Sequence, residues 1–172
     1  KAGGGKGMDF ERWKELVGLR ERVAAFARDE VIPAGNGPAD IKSLRDKARK
    51  AGIYGPQLPR EYGGLGLGTI GMCVLFEQAG CSFLGPLALN CAAPDEGNMH
   101  LLSLYANDEQ RQRYLKPLVE GTIRSCFAMS EPAPGAGSDP RMMQTRASPA
   151  GGGWEINGRK WFITGAVHPL GR

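Results

Sequence analysis

The residues best suited to chemistry crowd into the last third of the chain. Cys126-Phe127-Ala128-Met129-Ser130-Glu131-Pro132 is a short, mostly apolar run that ends in a hydroxyl, a carboxyl and a proline. Gly135-Ala136-Gly137-Ser138-Asp139 follows, and a segment from Trp154 closes on Trp161-Phe162-Ile163-Thr164. Glycines carry no Cβ and tolerate φ > 0, so backbone N–H groups at 135–137 can approach an anion closely. Ser138 adds a hydroxyl donor to that nest. Ser130 and Thr164 offer hydroxyls to the edge of a heteroaromatic ring, and Phe162 offers a ring to lie beside a flat group. A phosphate nest next to a stacking ring suits a flavin dinucleotide. The plainer alternatives are a tight turn at 135–138 and core packing of Phe162.

These residues need elements to hold them. From Asp9 to Glu30 apolar residues recur every three or four positions (Trp13, Leu16, Leu19, Val23, Phe26, Ala27), one face of an amphipathic helix. Asp9 is its expected cap, and Pro33 is expected to end it. Asp40 caps a second helix through Ile41, Leu44 and Ala48, stopped at Gly52. Further helices are expected over 69–79, 82–90, 95–105 and 108–119, the last started by Asp108 with Glu109 in its first turn. The character changes at Gly121. Ile123–Met129 reads as a buried strand, Gln144–Ala147 as a weaker one, and Trp154–Thr164 as a hairpin turning at Asn157-Gly158. Helices followed by strands imply an α+β chain: a flexible extension or tag remnant over 1–8, an all-α domain over 9–120, and the beginning of an antiparallel β domain over 121–172. Such a small sheet leaves unpaired edges, so the expectation is the front part of a longer polypeptide, or one completed by another chain.

Bulk properties narrow the partners. Twenty-two Lys and Arg against eighteen Asp and Glu give a net charge of +4. The two signs interleave along the helical segments, which describes a solvated surface and not a nucleic-acid footprint. Cys73, Cys81, Cys91 and Cys126 form no C-x-x-C pair, and with only His100 and His168 to supplement them no zinc site is expected. Buried free thiols in a reducing compartment are expected instead, and the cytoplasm is the default location. No apolar run reaches the roughly 20 residues needed to span a bilayer. Gly66-Leu67-Gly68-Thr69-Ile70-Gly71 fits G-x-G-x-x-G literally. A Pro/Gly loop precedes it and helices follow, so a loop is the better account than a dinucleotide fold. Tyr62 is expected to pack in that loop, and Met142-Met143 to fill a core or an interface.

Four blocks occur in the order of one known family. They are Leu58-Pro59-Arg60-Glu61-Tyr62-Gly63-Gly64-Leu65-Gly66-Leu67-Gly68, then Tyr105 to Gly121 with Glu109-Gln110, Arg113-Tyr114-Leu115 and Pro117-Leu118, then 126–139, then 157–164. Over nearly its whole length, from about Met8 to Ala166, the chain resembles the acyl-CoA dehydrogenases. That resemblance implies a helical domain, a β domain and a C-terminal helical bundle. It also implies FAD, and α,β-dehydrogenation of an acyl-CoA thioester with hydride passing to flavin N5. Phe127, Met129 and Ser130 would face the flavin ring. Gly137 and Ser138 would lie near the pyrophosphate, Ser138 also lining the CoA-side groove, with Phe162 and Thr164 beside the isoalloxazine. The implied partners are electron-transfer flavoprotein or a similar acceptor and further subunits: a homodimer or homotetramer, possibly with a second acyl-CoA dehydrogenase-like subunit. In a eukaryote the location would be the mitochondrial matrix.

The chain departs from the family pattern in places. Glu131-Pro132-Ala133-Pro134-Gly135 carries extra residues before the glycine turn, Ser130 stands where Thr is common, and Phe162 where Trp is common. The family's catalytic carboxylate lies in the C-terminal bundle, so no residue of this segment takes a catalytic role. Glu131 and Glu155 are expected to be ordinary solvated carboxylates. Two rival readings remain beside the dehydrogenase: a catalytically silent homologue serving as a structural subunit, and a cofactor-free helical interaction module.

Overall fold

The computed structural model describes residues 10–135 and 137–171, with side chains from Trp13 onward. The expected extension over 1–8 and the Asp9 cap lie outside the described residues. The chain divides into two compact units, Lys1–Gly121 and Thr122–Arg172.

In the first unit, α1 (Phe10–Phe26) runs through a π turn (Ala27–Val31) into α2 (Ile32–Ala34). Pro33 therefore sits inside the helix rather than ending it. A helical proline ring collides with the carbonyl four residues back. Here that residue is Asp29, in the middle of the π turn, whose wider winding moves the carbonyl aside. Leu19, Val23 and Phe26 are buried with Leu75 and Ala79 of α4 (Thr69–Ala79), the helix against which α1 packs. Trp13 is half exposed, so the apolar stripe runs out of the core toward its N-terminal end. Asp40 caps α3 (Ile41–Lys50) as expected, its carboxylate accepting from the Ser43 N–H at 3.1 Å. The loop before α4 is closed by its own backbone: Gly55 O accepts from the N–H groups of Leu58 and Leu65, and Leu58 O from Gly66. Gly66–Gly71 thus spans a loop and a helix start, and no strand leads into it among the described residues.

The helix expected over 82–90 is shorter. Only α5 (Gly85–Ala88) winds, with Pro86 in its first turn and residues 81–84 in turns. After α6 (Asp95–Tyr105), α7 (Asp108–Gln110) begins at the expected residue. Its cap is Asn107, whose side chain accepts from Gln110 N–H at 2.8 Å while Gln110 Oε1 accepts from Asn107 N–H at 3.0 Å. A second π turn (Arg111–Leu115) leads into α8 (Lys116–Glu120). Pro117 again follows by two residues, and Arg113, four before it, lies mid-turn.

The end of α8 is heavily capped. Helix C-termini leave carbonyls without partners, and cations favour that end. Asn90 Nδ2 donates to Leu118 O and Val119 O at 3.1 and 3.2 Å, and Tyr54 Oη to Val119 O at 2.7 Å. Arg49 donates to Glu120 O at 2.9 Å and Arg45 to Gly121 O at 2.6 Å. The Arg49 guanidinium also lies 3.9 Å over the Tyr54 ring. Asn90 holds φ at 57°, a conformation its short polar side chain tolerates.

In the second unit, β1 (Arg146–Ala150) pairs antiparallel with β2 (Gly153–Asn157), Arg146 opposite Asn157 and Ala150 opposite Gly153. The hairpin therefore turns at Gly151-Gly152, not at Asn157-Gly158, and 159–164 is not its second strand. A two-residue hairpin turn of this kind needs φ > 0 at both centres, and the glycine pair supplies +56° and +82°. Ile123–Met129 is not a buried strand. Among the described residues its one bridge joins Arg124 to Gly171, and Phe127 is 59% exposed. Among the described residues no helix is long and apolar enough to cross a membrane.

A candidate flavin site built around a buried carboxylate

Among the described residues of the second unit, Glu131 is the one that is fully buried, at 3% exposure. That corrects the expectation of a solvated side chain. One carboxylate oxygen accepts from Lys160 Nζ at 2.8 Å and from Thr145 N–H at 3.0 Å; the other accepts from Gln144 N–H at 2.6 Å. Its main chain joins in as well, with Glu131 N–H donating to Gly137 O at 3.0 Å. The Lys160 ammonium, helped by the two backbone N–H groups, holds the carboxyl down to a pKa of about 2. Lys160 also donates to Met129 O at 2.9 Å and lies 3.3 Å from the Met143 sulfur, so Met143 borders a charge rather than filling an apolar core.

This cluster sets where the sequence-predicted site residues fall. Met129 and Ser130 are half-buried, and their carbonyls accept from Lys160 Nζ and, at 3.2 Å, from Trp161 N–H. The blocks 126–139 and 157–164 are thereby brought together at 129–131 and 160–161. Phe127 is exposed, with its carbonyl accepting from Met129 N–H at 3.1 Å. Ser138 and Thr164 are exposed, so both hydroxyls are open to a ligand. Phe162 is 86% exposed, carries φ at +49°, and has its ring centroid 4.8 Å from that of Trp161. A left-handed backbone at a bulky residue costs about 1–2 kcal/mol, and such strain concentrates where a side chain must be presented. The same twist takes Phe162 and Thr164 off the regular strand expected to close the hairpin at Thr164.

The two outer glycines of the nest have different uses. A Cβ on Gly135 would lie 2.7 Å from Glu131 Oε2 and 2.8 Å from Glu131 Cβ, so Gly135 makes room for the carboxylate. Gly137 carries φ at +59° with nothing within 4 Å of a would-be Cβ, leaving its backbone open to an anion. An open left-handed backbone, two exposed hydroxyls and a presented ring are a donor set that fits a phosphate-bearing, flat cofactor. Glu155 is exposed and accepts from the Asn157 side chain at 2.7 Å. Of the thiols only Cys91 is buried, where desolvation pushes its pKa up to about 12; Cys73, Cys81 and Cys126 are exposed, against the expectation of buried thiols. Reasoning from residue types missed Glu131, Lys160 and Gly135 as organisers. The available signal was a carboxyl in one motif block and an amine in the other.

Comparison with known proteins supplies the wider frame. Residues 14–122 match the family model "Acyl-CoA dehydrogenase, N-terminal domain" and residues 126–169 the model "Acyl-CoA dehydrogenase, middle domain". The chain is 38% identical over 178 residues to "Probable acyl-CoA dehydrogenase FadE2" of Mycobacterium tuberculosis, covering 94% of this chain and 43% of that protein. A solved structure of a candidate acyl-CoA dehydrogenase from Mycobacterium abscessus superposes with a TM-score of 0.86 at 36% identity, over 92% of this chain and 44% of that one. A glutaryl-CoA dehydrogenase of Mycobacterium smegmatis superposes at 0.64 with 25% identity, over 87% and 39%. The chain thus spans less than half the length of these relatives. With both family models matched in order and a helical unit preceding a small antiparallel sheet, the chain belongs to the acyl-CoA dehydrogenase family.

Proposed function

We propose that this chain supplies the helical domain and part of the flavin-binding β domain of an FAD-dependent acyl-CoA dehydrogenase. The observation that carries the reading is the joining of the two motif blocks: Trp161 N–H on Ser130 O and Lys160 on Met129 O. Bound FAD would take the hydride from the acyl β-carbon as the α-proton leaves. Ser130 and Thr164 would donate hydroxyl hydrogen bonds to the ring edge, with Phe127 and Met129 beside it. Phe162, held out by its left-handed backbone, would cover the ring and exclude water. The open backbone at Gly137 and the Ser138 hydroxyl would hold the pyrophosphate, Ser138 also bordering the CoA-side groove.

No described carboxylate is assigned the α-proton. Glu131 is committed to Lys160 and two backbone donors, and Glu155 stands exposed on the hairpin. A general base must reach the proton it removes, so the base is assigned to a carboxylate outside residues 1–172 or on a partner subunit. Electron-transfer flavoprotein or a similar acceptor is the proposed redox partner, within a homo-oligomer or beside a second dehydrogenase-like subunit. The test is the visible spectrum of the complete polypeptide purified with its subunits, followed by anaerobic addition of acyl-CoA esters of graded length. A yellow protein whose flavin bands bleach with one ester class is the expected result. A protein that takes up no FAD, or whose bound flavin no ester reduces, overturns it.

A further inference from the structure

Glu131 collects four separate pieces of chain. Through its own backbone it holds 137, through its carboxylate 144 and 145, through Lys160 the 160–162 segment, and Lys160 in turn grips Met129 O. Gly135 is shaped to this carboxylate, since any Cβ there would meet it. The side chain is 3% exposed, in a unit whose other described residues are at least partly open to solvent. An apolar core is not what fixes these segments. The pieces it gathers carry Ser130 on one side and the strained Phe162 on the other, with Ser130 O held by Trp161 N–H between them.

From this geometry we infer that Glu131 and Lys160 form a positioning pair for the flavin: they contact no cofactor themselves but fix Ser130, Gly137 and Phe162 in binding geometry. The inference rests on the flavin reading given above. A buried pair broken on one side leaves an uncompensated charge, so removing either partner releases the segments rather than merely trimming a contact. The carboxylate also serves two backbone N–H donors, which an ammonium cannot do. Reversing the pair as Glu131→Lys with Lys160→Glu therefore does not restore it, unlike a simple surface ion pair.

The test uses the complete polypeptide carrying Glu131→Gln, Lys160→Met or the reversed pair. Glu131→Gln is isosteric, and Lys160→Met leaves the two N–H donors on the carboxylate. FAD affinity is read by flavin fluorescence, and ring geometry by visible circular dichroism at saturating FAD. Both single variants are expected to hold FAD about ten- to a hundred-fold more weakly, the range seen when the partner behind a metal ligand is lost. Their bound-flavin dichroism is expected to change shape even when every site is filled, a signature that lost stability alone would not produce. Parent affinity and parent dichroism in both single variants, or rescue by the reversed pair, overturns the inference while leaving the flavin reading intact. A parent polypeptide that binds no FAD overturns the flavin reading, and this inference with it. If the variants do not fold, amide exchange on the parent decides. FAD should slow exchange at Gln144 and Thr145, and unchanged exchange counts against the pair.

Discussion

The two units of this molecule solve the same problem by opposite means. The helical unit buries aliphatic side chains (Val23, Val31, Ile53, Leu75 and Leu89 among them) and gathers Tyr54, Asn90, Arg45 and Arg49 around one further task, the capping of α8. The second unit has its large apolar residues outside, Trp154 at 69% and Ile156 at 71% exposure, and puts a carboxylate in the middle. A core made of area is redundant, because each residue contributes a share. A core made of one charge is not redundant. Its loss leaves two N–H groups without their acceptor and an ammonium without its counter-charge.

The largest effect that sharpens this contrast is Leu75→Ala. Leu75 is fully buried between α1 and its neighbours, and truncation should cost about 2–5 kcal/mol in urea unfolding. The matching change on the hairpin, Ile156→Ala, should stay within about 0.5 kcal/mol. Equal losses at the two positions would erase the distinction. Next comes Asn90→Ala, which removes the donor to Leu118 O and Val119 O and places alanine at φ 57°. Together these should cost about 2–4 kcal/mol, measured in the same way. Asn90→Gly, which relieves only the backbone conformation, should recover part of that.

A smaller step sets the two nest glycines against each other. Gly135→Ala should cost about 1–3 kcal/mol by overpacking against the Glu131 carboxylate. Gly137→Ala meets no neighbour and should cost about 1 kcal/mol for its left-handed backbone alone. Exchange at Gln144 and Thr145 should quicken in the first variant only.

The last test is pH. The folded pKa of Glu131 is depressed from its ordinary 4.5 to about 2, so its contribution is complete above about pH 4.5 and is lost as pH falls toward 2. Protection of the Gln144 and Thr145 amides should fade across that window. In Glu131→Gln that pH dependence should vanish.

The same contrast explains what could be read from the residues alone. The helices of the first unit announce themselves by a 3.6-residue apolar period and by caps such as Asp40, because burial there repeats along an element. What escaped was local: Pro33 was expected to stop a helix that a π turn carries onward, and Asn107 took the cap expected of Asp108. In the second unit the period-2 signal misled. Asn157-Gly158 is a good turn dipeptide, but Gly151-Gly152 supplies two left-handed positions and turned the hairpin there. Motif composition pointed to the segments around Ser130 and Phe162. It could not reveal the Glu131–Lys160 contact, since two residues 29 apart meeting through a turn leave no periodic trace.

The π turns carry a practical consequence for anyone who wishes to clamp these helices. In each, the closing N–H reaches back five residues, from Ile32 to Ala27 O and from Lys116 to Arg111 O. A hydrocarbon staple or a two-histidine metal clip cut for the usual four-residue reach would be out of step across either stretch. The pair to anchor is 111 and 116, since at the first turn the partner of 32 is the buried Ala27.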